Sequence, residues 1–67
     1  MENLNTLHIK RRKALNDFSI ISNYYFAETD ERLKIIFAID RKEKLIEIKY
    51  LNWLIKKYLS SLKQLLS

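Results

Sequence analysis

The chain predicts an α+β fold, with an N-terminal helix, a three-stranded antiparallel β-meander and a C-terminal helix in one small domain over residues 1–67. Three observations predict it. Residues 33–50 hold two apolar runs rich in Ile, Phe and Tyr around the polar cluster Arg41-Lys42-Glu43-Lys44. Residues 18–27 form a third such run, and after Tyr50 the apolar period lengthens from two residues to about 3.6.

Taken in order, residues 2–17 read as the first helix, because Leu4, Leu7, Ala14 and Phe18 recur at helical spacing while Lys10 to Lys13 wrap its outer sides. Residues 18–27 read as the first strand, closed by the polar run Glu28-Thr29-Asp30-Glu31-Arg32 with a loop over 29–32. In the second hairpin, a loop over 41–44 sets Ile39 opposite Ile46, Phe37 opposite Ile48 and Ile35 opposite Tyr50. Opposed β-branched and aromatic residues stabilise antiparallel pairs, so Phe37, Ile39, Ile46 and Ile48 are expected in the core. The same parity sets Phe26 against Ile35 and Tyr24 against Phe37. From Leu51 onward the stripe Leu54, Ile55, Tyr58, Leu59 and Leu62 reads as the last helix, and Lys63 suits its C-terminal dipole.

The alternative is an all-α bundle or helical hairpin. The chain has neither Gly nor Pro to interrupt a helix, Asp40-x-x-Glu43 fits a capping box, and Leu45, Ile48, Asn52, Ile55, Leu59, Leu62 and Leu66 keep a three-four spacing with Asn52 at a core position. Against it stand only three alanines and the crowding of Ile, Tyr and Phe in the central third.

Composition narrows the function classes. A chain of this size buries about 60% of its unfolded surface, which leaves little room for an enclosed active site. It has no cysteine and one histidine, His8, which excludes disulfides and argues against a metal site. Ser19, Ser22, Ser60, Ser61 and Ser67 lack any nucleophile motif, Asp30 and Glu31 fall in a predicted turn, and no Gly-rich loop is present to cradle a phosphate. The expectation is a protein with no catalytic residue, no cofactor and no metal. The N-terminal residues show no apolar core after a basic start, and no window approaches the roughly 18 apolar residues of a membrane span. No signal peptide or transmembrane segment is therefore expected, and the location is expected to be cytoplasmic.

A net charge of +5 and a pI near 9.6 point first to polyanions. The leading expectation is nucleic-acid binding through Lys10, Arg11, Arg12 and Lys13, joined by Arg41, Lys42 and Lys44 from the predicted turn, because phosphate contacts need several cations on one surface. Four consecutive helix residues point in four directions, so the turn cations are needed. The second expectation is a protein-protein interaction module, such as a small inhibitor or adaptor of the kind phages and other mobile elements encode. Its anchors are Tyr25, Ile36 and Trp53; the alternative role of Tyr50, Trp53 and Tyr58 is to fill the core. A homodimer is the staple still open to a chain without disulfides or metal. A third reading lays residues 51–67 on a membrane surface as a basic amphipathic helix.

The stretch from Arg32 to Ile48, with its apolar alternation, Asp40 and Ile46-Glu47-Ile48, resembles the central hairpin of RelE/ParE-type ribonuclease toxins over about a quarter of the chain. No catalytic residue of that family carries over.

Overall fold

The computed structural model describes residues 3–66, which form two antiparallel helices, α1 (Leu4–Ala27) and α2 (Glu31–Leu66). Among the described residues there is no strand, and only Asn3 and residues 28–30 lie outside a helix. This overturns the α+β expectation. The strand expected over 18–27 is the second half of α1, the hairpin expected over 33–50 is continuous helix, and the last helix is the end of α2. The helical hairpin that stood as the alternative is the fold, and the toxin-like hairpin is absent with the strands it needed.

The termini of the helices follow from side-chain chemistry. Asn3 caps α1, its Oδ1 accepting from the Thr6 amide at 2.8 Å and from the Thr6 hydroxyl at 3.0 Å. Glu28 ends α1 in extended backbone, donates its amide to the Tyr24 carbonyl, and accepts from the Thr29 and Asp30 amides through Oε1. Asp30 then caps α2, accepting from the Arg32 amide at 2.9 Å. The polar run that reads as a turn is therefore a turn, but one that links two helices.

No comparable device exists at 41–44. A tight β-hairpin needs residues that tolerate positive φ, and Arg, Lys and Glu are good helix formers that do not supply it. No described residue has positive φ. The Asp40-x-x-Glu43 pattern caps nothing, because both residues lie inside α2.

Contacts along the seam advance in step. Tyr24 stacks on Phe37 with ring centroids 5.9 Å apart, Ser22 accepts from Arg41 at 2.9 Å, Asp17 lies 3.8 Å from Lys44, and Arg11 donates to Asn52. The core is Leu7, Ala14, Ile48, Leu51 and Ile55, with Leu4, Phe18 and Leu54 packed against it. On α2 the inward stripe is thus Phe37, Arg41, Lys44, Ile48, Leu51 and Ile55, alternating three and four residues as helix pairs require. Of the four residues assigned to the core of a sheet, Ile48 is buried and Phe37 half-buried, whereas Ile39 and Ile46 are 53% and 59% exposed.

The hairpin is a rod of 55 × 18 × 15 Å with a radius of gyration of 15.8 Å. A compact chain of 67 residues would have about 11 Å. Helix α2 has 36 residues against 24 in α1. At the observed register its final two turns pass the start of α1, and every residue over 59–66 is exposed.

Candidate interaction surface

Helix α2 carries a second apolar stripe on the side turned away from α1. Ile36, Ile39, Ile46, Tyr50 and Trp53 follow the same three-four spacing as the inward stripe but are displaced from it by two residues, with Glu43 completing the series. Two residues on a helix turn about 200°, so the two stripes occupy opposite faces. Each of those five side chains is between 53% and 59% exposed. The rings of Tyr50 and Trp53 stack at 6.2 Å and 23°, and the Lys57 ammonium lies 4.9 Å from the Trp53 ring centre. That stacking fixes two large aromatic faces before anything binds, which lowers the ordering cost of an interface.

The two sides of this ridge differ in charge. Lys42, Lys49, Lys56 and Lys63 recur every seven residues and line one side of α2. Asp40 and Glu47 line the other, next to Glu43, and share a shallow groove with Lys44 and Ile21. The outward face of α1 is polar by contrast, with Asn5, Arg12, Lys13, Asn16 and Asn23 exposed around Ile9 and Ile20.

The cations expected to meet nucleic acid are dispersed. Arg11 turns into the seam toward Asn52, which is exposed at the seam's edge instead of filling a core position. Arg12 and Lys13 lie on the outer face of α1, and Lys10 lies on a flank. Arg41 is folded among aromatic rings, its guanidinium carbon 5.0, 5.4 and 5.8 Å from the ring centres of Phe18, Phe26 and Tyr25. Lys44 pairs with Glu47 at 2.9 Å and Asp17 at 3.8 Å. The hydrogen bond that the Lys44 ammonium donates to Glu47, helped by the charges of Glu47 and Asp17, outweighs partial burial and holds that ammonium above its ordinary value of 10.5. Of the three central cations only Lys42 points outward on the lysine-lined side.

The expected protein anchors also divide. Ile36 and Trp53 fall on the outer ridge, where Ile39, Ile46 and Tyr50 join them. Tyr25 is half-buried at the seam, with Lys34 5.0 Å from its ring centre and Arg41 beyond. Tyr50, Trp53 and Tyr58 do not form a core, being 58%, 54% and 36% exposed. The stripe read from Leu51 onward splits: Leu51 and Ile55 are buried against α1, while Leu59, Leu62, Leu65 and Leu66 stand exposed at the overhang.

The residues with chemical potential are spent or isolated. Asp30 caps α2, Ser22 accepts from Arg41, the Ser61 hydroxyl donates to the Lys57 carbonyl, and His8 is exposed. Among the described residues no group of three His, Cys, Asp or Glu side chains is placed to hold a metal ion. No described helix is long and apolar enough to cross a membrane. No family model matches the chain, and no curated protein or solved structure is detectably similar to it.

Proposed function

We propose that this is a non-enzymatic interaction protein that works by helix packing, with the outer ridge of α2 as its contact surface. The observation that carries the reading is the exposed stripe Ile36, Ile39, Ile46, Tyr50 and Trp53, interrupted at its middle by Glu43, on a helix already supported from behind by α1. Large contiguous apolar patches on small proteins mark contact surfaces, and aromatic residues dominate the energy of such contacts. The role carried by this reading is that of a small inhibitor or adaptor, with the cytoplasm as its proposed location.

Replacing Ile46 by Glu puts a charge at the middle of the ridge without touching the seam. The variant should keep its helical circular dichroism and lose the proteins that co-purify with the parent chain, with nuclease making no difference. Retention of those proteins by the Ile46→Glu chain, or their disappearance on nuclease treatment alone, sinks the reading.

A second reading keeps nucleic acid as the partner, favoured by the lysines at 42, 49, 56 and 63 along one side of α2. Counterion release makes such binding weaken steeply with salt, so retention on DNA or RNA that ignores salt would count against it.

A further inference from the structure

We infer that the outer ridge of α2 is covered by the same ridge of a second copy of this chain, the two α2 helices running parallel, so that Lys42 of each copy meets Glu47 of the other. This rests on the ridge being the contact surface and adds its occupant and direction.

The first argument is area. The hairpin exposes 5765 Å². A folded monomer of 8.1 kDa is expected to expose about 4,500 Å², so this chain carries an excess of roughly 1,300 Å². A standard interface removes about 800 Å² from each partner, and the five ridge residues extend over about 26 Å of helix, the right length for it. Covering the ridge with a second copy removes about 800 Å² of that excess from each chain, and the exposed overhang over 59–66 accounts for part of the remainder. A single hairpin with five buried apolar side chains has little core of its own, which is the condition under which small domains recruit a second subunit.

The second argument is charge, and it selects the direction. With Ile36, Glu43 and Tyr50 in one series of facing positions and Ile39, Ile46 and Trp53 in the other, the flanking positions are basic on one side, Lys42, Lys49 and Lys56, and acidic on the other, Asp40 and Glu47. In a parallel pair each flank faces the opposite flank of the partner; in an antiparallel pair each faces its own kind. Antiparallel packing therefore sets lysine against lysine and carboxylate against carboxylate. Parallel packing brings the two Glu43 side chains face to face, and it seats Lys42 of one copy between Glu43 and Glu47 of the other, so each Glu43 carboxylate has a lysine beside it. Glu47 keeps 49% of its side chain exposed while bound to Lys44, so its carboxylate is accessible to a second cation. The product is a row of four helices with both α2 helices inside, each covered on its two opposite apolar faces.

Light scattering and sedimentation of the full chain should give a dimer that dissociates on dilution. Lys42→Glu should weaken association about tenfold, because it turns two attractive pairs repulsive. Mixing the Lys42→Glu chain with a Glu47→Lys chain should give a mixed dimer tighter than either variant forms alone, a result that mere loss of stability cannot produce. The chain has no cysteine, so Ile36→Cys offers a clean direct probe. A parallel pair brings the two positions 36 within disulfide reach, whereas an antiparallel pair holds them a ridge length apart. Rapid oxidation to a covalent dimer supports the inference. A Lys42→Glu chain that dimerises more tightly, or an Ile36→Cys chain that dimerises without cross-linking, overturns the parallel arrangement. A monomer at every concentration overturns the second copy altogether; if Ile46→Glu then still abolishes capture of another protein, the contact-surface reading survives that failure. A dimer indifferent to Ile46→Glu overturns both.

Discussion

The two halves of the helical seam are held by different physics. Near the turn, the contacts are directional: Tyr24 stacks on Phe37, Arg41 reaches Ser22 and the rings around it, and Lys44 bridges to Asp17. Toward the open end, Leu7, Ala14, Ile48, Leu51 and Ile55 interlock, with the hydrogen bond from Arg11 to Asn52 as a directional contact at the seam's edge. Apolar packing supplies free energy in proportion to area but tolerates sliding by a heptad, whereas hydrogen bonds and stacked rings are lost when a helix slips. The turn half therefore fixes register, and the open half supplies most of the stability.

Truncating Leu51 to Ala is the strongest way to break this division. Leu51 is 5% exposed at the centre of the apolar half, and removing a buried leucine side chain costs about 2–4 kcal/mol. Urea denaturation followed by circular dichroism, at fixed protein concentration because association shifts apparent stability, should show loss of most of the folding free energy. Arg41→Met tests the other half. It keeps an unbranched apolar stem but removes the hydrogen bond to Ser22 and the cation over three rings, for an expected cost of about 1–2 kcal/mol. An Arg41 effect larger than that of Leu51 would invert the comparison.

How much of this was legible follows from the same two faces. The helical spacing of Leu4, Leu7, Ala14 and Phe18, the polar break after Ala27 and the apolar stripe after Tyr50 each correspond to a structural feature. The strands expected over 18–27 and 33–50 are both helix, and at 33–50 the cause of the misreading is specific. A helix apolar on two opposite faces places apolar residues two apart, because a step of two moves from one face to the other. Ile35, Phe37 and Ile39 step outward, inward, outward; Ile46, Ile48 and Tyr50 do the same. That alternation imitates a strand. The signal that separates the two cases is the absence of any residue suited to a turn at 41–44, together with the apolar series that continues through it. Ile36 and Trp53 could be chosen from sequence as exposed anchors, but their membership of one ridge with Ile39, Ile46 and Tyr50 requires the helix. The dispersal of the basic residues was half legible, since four successive cations cannot share a face, while the inward fold of Arg41 depends on Phe18, Tyr25 and Phe26 arriving from the other helix.

Lys44 sits where the directional half meets the apolar half and carries the smallest expected effect. Its ammonium is held above the ordinary lysine value by Glu47 and Asp17, so the folded chain binds this proton more tightly than the unfolded chain does. Stability from the pairing is then fully present below about pH 10.5 and is lost as pH rises through the higher folded value. Its side chain retains 24% exposure, so solvent screens the pair and Lys44→Met should cost only about 0.5 kcal/mol at neutral pH. The informative measurement is the difference between parent and variant across pH. That difference should hold steady from pH 7 to 10 and shrink above it, as the parent loses the charge the variant never had. A gap that stays constant through pH 11 would mean that Lys44 contributes through the packing of its stem against α1, and that the turn half of the seam is held by Arg41 and the stacked rings without help from the ion pair.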